Sequence, residues 1–233
     1  MKESSKSNKY RDAYFFDTYL SGKVIDIGGG SDPVTKNVEV FDLDQGDAQN
    51  ISLYKDKETY DCVYSSHCLE HMKDAPKALS QWWDLVKPGG YMVIIVPHED
   101  LYEQMIWPSV NSTGDYCHQF TFRLGGDSSW SPVSIDIENL ISSLKKSLIV
   151  SSEIQDENYD YDLLGKRLSP VGRKIYKWRR SESHAKRWIS EMVYDFFHDT
   201  FWIHSKRKTG RPIDQTTWNA LAQIQVIAKK VVD

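Results

Sequence analysis

The chain reads Val24-Ile25-Asp26-Ile27-Gly28-Gly29-Gly30-Ser31-Asp32-Pro33 at the point that decides its fold. A short apolar run ends in an acid and then breaks into three consecutive glycines. This pattern predicts a buried strand leading into a tight loop, where the backbone can approach a ligand without side chains in the way. Glycine-rich turns of this kind serve nucleotides, phosphates and plain chain geometry, so the rest of the sequence must decide between them.

The composition indicates a globular protein whose charges are unevenly distributed. The chain has 233 residues, of which 40% are hydrophobic and 27% are charged, and this predicts one domain with or without an insertion. Residues 163–211 hold 13 Lys or Arg and only 4 Asp or Glu, although the whole chain has a net charge of −4. We therefore expect a basic segment within an otherwise acidic chain.

The sequence also bears on the compartment. No apolar run approaches the roughly 20 residues of a membrane span, and the polar start of the chain lacks the apolar stretch of a secretory signal. Cys62, Cys68 and Cys117 show no metal-type pairing, and their odd number argues against a disulfide framework. We therefore expect a cytoplasmic protein with no membrane partner.

Short apolar runs predict strands that are buried on both faces of a parallel sheet. They lie at residues 23–27, 38–41, 60–64 and 91–96, with a helix over 75–86 before the last of them. The segment Lys87-Pro88-Gly89-Gly90 is expected to end that helix in a turn, because proline cannot continue a helix. Further predictions are a helix over 10–20, a helix from Pro132, a strand over 147–154 and a closing strand over 218–231.

This alternation predicts an α/β protein with a Rossmann-like, mostly parallel sheet and an antiparallel last strand. A helical insertion is expected before the last strand, because apolar residues from Trp188 to Phe201 recur at helical spacing. We expect a single domain over residues 1–233, in which the basic insertion, residues 156–212, serves as a lid or a dimer element.

Two acids end the first two predicted strands, Asp26 and Asp42. Ligands of an open parallel sheet bind beyond the carboxyl ends of its strands, and an acid after the second strand can accept hydrogen bonds from a ribose diol. The loop lacks the third glycine of the dinucleotide fingerprint, and residues 31–37 leave little room for a helix whose N-terminus would bind a pyrophosphate. A cofactor with a ribose and adenine but no phosphate, namely S-adenosylmethionine (SAM), fits better than NAD.

These segments resemble the class I SAM-dependent methyltransferases. The glycine loop looks like the first motif of that family, and the segment from Tyr60 through Leu69-Glu70-His71 is similar to its fourth-strand motif. Residues 85–91 match its turn before the fifth strand, so that the resemblance covers about residues 20–100. Residues 100–109 and 214–224 more loosely resemble methyltransferases of bacterial surface-glycan pathways.

The resemblance implies SAM as cofactor and a set of residues that bind it. Asp26 would orient the methionine amine, the glycines would approach the methionine and ribose, and Asp42 would bind the ribose hydroxyls. The implied cofactor-binding residues are Asp26, Gly28, Gly29, Gly30, Asp42, Leu43, Asp47, Ala48, Asn50, Ser65, Ser66 and His67. The Asp47–Asn50 segment would flank the adenine, and Ser65, Ser66 and His67 would line the floor below the sulfonium.

His118 and His98 are the candidate catalytic residues, because a hydroxyl acceptor benefits from a base and histidine suits that role. Asp115 or Glu99 could orient such a histidine. His98, Glu99 and Asp100 could instead hold a divalent metal, but they show no defined ligand spacing, so no metal site is predicted. His71 is expected to be a packed or capping histidine.

The predicted function is SAM-dependent O-methylation of a small sugar-like, nucleotide-sugar or phosphorylated acceptor in surface polysaccharide biosynthesis. The basic segment favours an anionic acceptor. Two alternatives stay open: an RNA or protein methyltransferase that docks through the basic insertion, and a non-catalytic partner subunit with a SAM-binding fold. Homodimerisation through the apolar stripe of the insertion is also left open.

Overall fold

A computed structural model describes residues 3–109, 117–126, 128–168 and 212–232, together with 178, 183–186, 188–189, 192 and 203–204. The chain forms two compact units, residues 1–159 with 216–233, and residues 160–215. The described part of the second unit contains a 3-10 turn, Tyr161–Leu163, and an antiparallel pair of two-residue strands, Arg167–Leu168 and Ile203–His204.

A six-stranded sheet organises the first unit. Its strands are β1 (Val24–Ile27), β2 (Glu39–Phe41), β3 (Tyr60–Ser66), β4 (Val86–Pro97), β5 (Ser147–Gln155) and β6 (Gln223–Lys230). They lie side by side in the order β2-β1-β3-β4-β6-β5. Strands β1 to β4 pair in parallel, and β6 is antiparallel to both β4 and β5. The predicted α/β fold, a Rossmann-like and mostly parallel sheet with an antiparallel last strand, is confirmed.

Four helices accompany the sheet in the described residues: α1 (Glu3–Ser7), α2 (Ala13–Tyr19), α3 (Ala75–Asp84) and α4 (Ile137–Ser142). Aspartates cap three of them, since a carboxylate satisfies backbone N–H groups that a helix start leaves unpaired. Asp12 accepts a hydrogen bond from Phe15 N at 2.9 Å, and Asp74 accepts one from Lys77 N at 3.0 Å.

The strands bury side chains on both faces of the sheet, as a parallel sheet requires. On one face, Ile25 and Val63 pack with Trp82 of α3 and Ile141 of α4. On the other face, a second cluster includes Phe15 of α2. The alternation of side chains along each strand therefore supplies two separate apolar cores.

Two predicted boundaries are wrong. The predicted helix from Pro132 begins only at Ile137, because residues Ser134–Asp136 form a short strand that pairs in parallel with Thr121–Arg123. Asp136 then caps the helix. The predicted closing strand also begins later, at Gln223, after a 3-10 turn over Gln215–Trp218.

The predicted turn at residues 87–90 is also corrected, because these residues belong to β4. The register between β3 and β4 shifts between Tyr60 and Cys62, which marks a bulge. Gly89 has a φ of +82°, and a Cβ on Gly90 would lie 2.7 Å from the Asp61 carbonyl oxygen. The two glycines therefore allow the strand to bulge without breaking.

The predicted helix over residues 188–201 lies largely outside the described residues. The role of residues 156–212 as a lid or dimer element accordingly stays a prediction. Among the residues that the structure describes, no helix has the length and apolar character needed to cross a membrane.

Candidate active site

The glycine loop leaves β1 and returns to β2 without any helical residue between Gly28 and Val38. Gly28 has a φ of +83°, and its N–H donates to the Phe41 carbonyl at 2.8 Å. A Cβ on Gly28 would lie 2.6 Å from Cys68 Cβ, and one on Gly29 would lie 2.7 Å from Asp26 Cγ. Larger residues therefore cannot occupy this loop without displacing its neighbours. As the sequence predicts, residues 31–37 form no helix whose N-terminus could bind a pyrophosphate.

Asp26 is a fully buried carboxylate at the carboxyl end of β1. Its Oδ2 accepts a hydrogen bond from Val34 N at 2.7 Å, while its Oδ1 has no hydrogen-bond partner in the described part of the chain. Burial, with Asp32 and Asp42 nearby, raises the pKa of Asp26 to about 7 against the opposing effects of the Val34 N–H and Arg11. A buried acid with an unused oxygen is suited to bind a ligand cation, such as the ammonium group of a methionine moiety.

Asp42 follows β2 directly and lies opposite the glycine loop. A Cβ on Gly30 would come within 3.0 Å of Asp42 Oδ2, so backbone and carboxylate are close neighbours. The other oxygen, Oδ1, accepts from Leu43 N at 2.7 Å, and Gln45 Oε1 accepts from Asp42 N at 2.9 Å. The Leu43 side chain is 70% exposed. These contacts orient an acid beside the loop, as binding of a ribose diol requires.

The Asp47–Asn50 segment forms the start of a 3-10 turn, Ala48–Leu53. Asp47 accepts from Gln49 N at 2.9 Å and from Asn50 Nδ2 at 2.8 Å. The Ala48 carbonyl accepts from Trp82 Nε1 at 2.9 Å, which ties the turn to α3. The segment is thus fixed by its own side chains and by the core.

Ser65, Ser66 and His67 lie at the carboxyl end of β3. Ser65 Oγ donates to the Ile27 carbonyl at 2.9 Å, and Ser66 Oγ is buried without a hydrogen-bond partner among described residues. His67 turns the chain with a φ of +53°, and its ring Nε2 lies 3.0 Å from Gln223 Oε1. The structure therefore places Ser65 next to the end of β1, and the His67 ring next to the start of β6.

A row of aromatic rings connects β3 to the segment after β4. The His67 and Tyr102 ring centroids are 6.1 Å apart, and Tyr102 stacks on His118 at 5.6 Å with an interplanar angle of 22°. The His118 ring in turn lies 5.0 Å from His71. His118 Nδ1 is 2.5 Å from Glu103 Oε1, and both side chains are buried. This contact leaves Nε2 of His118 as the nitrogen available for chemistry.

Glu70 provides a buried negative charge within this row. Its Oε1 lies 3.6 Å from His67 Nδ1 and 3.9 Å from His71 Nε2. Burial alone would raise the pKa of Glu70, but His67, His71 and His118 lower it to about 2. Burial lowers the pKa of His67, yet Glu70 and Glu3 outweigh it and raise that pKa overall. The two side chains therefore favour an ion pair.

His98 has a different environment from His118. Its Nδ1 accepts a hydrogen bond from Asp100 N at 3.1 Å, and burial lowers its pKa. The neutral ring then carries its proton on Nε2, which leaves no free lone pair for a base. Glu99 does not orient it, because its oxygens accept from Thr121, Ser129 and Ser134.

The group that orients a histidine is Glu103, which the sequence does not predict. Asp115, the other predicted orienting acid, lies outside the described residues. In the sequence, Glu103 is one of several acids in an aromatic segment, and nothing in its spacing relates it to His118. Only the turn after β4, in which Tyr102 N donates to the His98 carbonyl at 2.8 Å, brings it there.

The sequence also does not predict α1, which packs beside the site. Lys6 is 7% exposed, donates to the Thr216 carbonyl at 3.1 Å and pairs with Glu3 at 2.7 Å. Ser5 N donates to Asp32 in the glycine loop at 2.9 Å, and Gln223 Nε2 donates to Ser7 at 2.8 Å. The first helix is thus held between the loop and β6.

Comparison with known proteins agrees with this geometry. Residues 9–123 match the family model described as a methyltransferase domain. Over 86 residues the chain is 29% identical to trans-aconitate 2-methyltransferase from Deinococcus radiodurans, and this alignment spans 36% of the chain but only 29% of that protein.

Two solved structures are similar over most of their length. A SAM-dependent methyltransferase from Archaeoglobus fulgidus is 16% identical, with 99% of this chain and 95% of that chain covered and a TM-score of 0.49. The YcgJ protein from Bacillus subtilis is 14% identical, with 92% and 94% covered and a TM-score of 0.45. The family match, together with the topology and the acids described above, makes residues 9–123 similar to a methyltransferase domain.

Proposed function

We propose that this protein transfers the methyl group of SAM to a hydroxyl of a small sugar-like, nucleotide-sugar or phosphorylated acceptor. The observation that carries the proposal is the pairing of two acids at adjacent strand ends, Asp26 and Asp42, on either side of the glycine loop. Asp26 offers an unused, buried oxygen to a cation, and Asp42 offers a carboxylate to a diol. A cofactor with an ammonium group and a ribose satisfies both.

The role proposed for each cofactor-binding residue comes from the resemblance to SAM-dependent methyltransferases, and this placement supports it. Asp26 binds the methionine ammonium, Gly28–Gly30 let the backbone approach the cofactor, and Asp42 binds the ribose hydroxyls. Leu43 and the Asp47–Asn50 segment flank the adenine. Ser65, Ser66 and His67 lie below the sulfonium. Burial supports the roles of Asp26, Ser65 and Ser66, and hydrogen bonds hold Asp42 and the Asp47–Asn50 segment in position. Binding of SAM to variants tests the roles one by one.

His118 serves as the base that removes the proton of the acceptor hydroxyl. Bound SAM supplies a methyl group that a nucleophile can take. Much of the catalysis then consists of holding the acceptor in line, and a base that removes the hydroxyl proton adds about 10²- to 10⁴-fold. Glu103 holds the His118 ring through Nδ1, so that Nε2 receives the proton. We therefore favour His118 over His98, whose Nδ1 is engaged by Asp100 N.

The acceptor class rests on charge and on the looser resemblance to surface-glycan methyltransferases. The excess of Lys and Arg in residues 163–211 favours an acceptor with negative charge. Attraction between exposed charges weakens with ionic strength. If the basic segment attracts the acceptor, the KM for a phosphorylated acceptor rises with salt, whereas the affinity for SAM changes less.

The experiment is transfer of a labelled methyl group from SAM to a panel of acceptors. The panel contains sugar phosphates, nucleotide-sugars, trans-aconitate as the substrate named for the relative, and structured RNA. We expect label on a sugar or phosphorylated compound. Label on RNA alone, with retention on RNA that falls steeply with salt, would favour the RNA alternative instead. Binding of SAM without transfer to any class would favour a non-catalytic subunit.

A further inference from the structure

Three side chains beside the proposed acceptor site bring metal-binding atoms together. Glu70 and His71 lie on a 3-10 turn, Leu69–His71, which follows β3. His118 comes from the segment after β4, and the hydrogen bond from Gln119 N to the Glu70 carbonyl, 2.7 Å long, joins the two segments. One ligand-type atom from each of Glu70, His71 and His118 lies within 4.8 Å of the other two.

Two imidazoles and a carboxylate form a ligand set that suits divalent first-row transition metals, and Zn²⁺ in particular. His118 is prepared for that role, since its Nδ1 is 2.5 Å from Glu103 Oε1 and only Nε2 is left to coordinate. A carboxylate that holds the second nitrogen of a ligating histidine is a common feature of metal sites, where it fixes the ring and increases its basicity.

The Glu70 carboxylate provides an independent indication that this cluster can bind a cation. Glu70 is 1% exposed, and His67 and His71 lie near its Oε1. Its Oε2 is buried and has no hydrogen-bond partner in the part of the chain that the structure describes. A buried carboxylate oxygen without a partner costs free energy, which coordination to a cation would remove.

We propose that Glu70, His71 and His118 form a binding site for a divalent transition metal ion such as Zn²⁺. Ligand atoms about 2.0–2.2 Å from a tetrahedral ion lie roughly 3.3–3.6 Å from each other, so small side-chain rotations close the cluster around it. The ion takes the Nε2 lone pair of His118. Given the proposed function, an occupied site therefore stops His118 from accepting the hydroxyl proton, and Zn²⁺ inhibits transfer.

Calorimetric titration of the chelator-treated protein with Zn²⁺, without SAM or acceptor, tests the site directly. We expect one saturable site in the wild-type protein. Glu70→Gln and His71→Ala remove a ligand and should weaken binding by more than tenfold. Glu103→Gln removes the partner of His118 and should weaken it by about 10- to 100-fold. His184→Ala, an exposed histidine outside the cluster, serves as the matched control and should bind like wild type.

Circular dichroism and urea unfolding confirm that each variant is folded. Absence of saturable Zn²⁺ binding, or equal affinity in the wild type and His71→Ala, would overturn the site. Inhibition is measured in a separate experiment. If the rate of methyl transfer is unchanged at a Zn²⁺ concentration that fills the site, Zn²⁺ does not compete with the proton at His118. Because the titration contains no SAM, a failed metal site and a failed methyltransferase assignment give different results.

Discussion

Because the pKa of Asp26 is raised, we expect the Kd for SAM to depend on pH, and the size of the change can be calculated. Asp26 has a pKa of about 7 because it is buried and faces Asp32 and Asp42, with Arg11 opposing them. Its ordinary value is 3.8. If the SAM ammonium binds the ionised carboxylate, protonation of Asp26 competes with SAM. The α-amino group of SAM, with an ordinary pKa of about 8, stays largely charged below pH 7.

The expected change in the Kd for SAM follows from proton linkage. Below pH 7 a growing fraction of Asp26 is protonated in the free protein, so SAM binding weakens about fivefold from pH 7 to pH 6 and about ninefold from pH 6 to pH 5. From pH 7 to pH 5 the Kd should rise roughly 50-fold, or by about 2.3 kcal/mol. At pH 6, binding should release about 0.9 proton per SAM.

Calorimetry in two buffers of different ionisation enthalpy measures both the affinity and the released protons. Asp26→Asn should bind SAM weakly and without this pH dependence. Asp42→Asn is the matched control, because it removes an acid on the other side of the same loop. It should lower the affinity and keep the pH dependence, with the midpoint at a lower pH because Asp42 contributes to the raised pKa of Asp26. A wild-type affinity that does not change between pH 7 and pH 5 would refute the role given to Asp26.

Four further outcomes are expected. Asp42→Ala should weaken SAM binding by about 1.5–3 kcal/mol, measured by calorimetry, as for loss of a charged hydrogen-bond partner. Gly29→Ala should lower the free energy of unfolding by about 1–3 kcal/mol in urea, because its Cβ would lie 2.7 Å from Asp26 Cγ. His118→Ala should retain SAM binding but lose about 10²- to 10⁴-fold in kcat; full turnover would exclude it as the base. Asp26→Asn should raise the free energy of unfolding of the cofactor-free protein above pH 7 by as much as about 4 kcal/mol, because the raised pKa makes the ionised carboxylate unfavourable in the native state. Urea unfolding measures this gain, which should disappear as the pH falls to about 4.

The sheet could be predicted because its signals are local. Asp26 and Asp42 each end a short apolar run, and parallel strands bring such ends to one edge. A prediction from local signals was wrong at residues 87–90. Proline and glycine predicted a turn there, but pairing with Tyr60 and Cys62 keeps the segment in β4 as a bulge. Tertiary pairing thus outweighed the turn signal.

The acceptor side of the site could be predicted only in part. His118 was selected as a histidine in an irregular segment, but its partners Glu103 and His71 come from other parts of the chain. Their contacts depend on how the segment after β4 folds back over the turn at Glu70, through the Gln119 N–H. No spacing pattern encodes this, and the Glu70, His71 and His118 cluster was not predicted for the same reason.

The central claim is that the glycine loop with Asp26 and Asp42 binds SAM. Calorimetric titration of the purified, folded protein with SAM and with its demethylated product at pH 7.5 tests it most directly. We expect saturable 1:1 binding of both compounds in the wild type and weaker binding in Asp42→Ala. A folded protein that binds neither compound, or a variant that binds as tightly as the wild type, would contradict it.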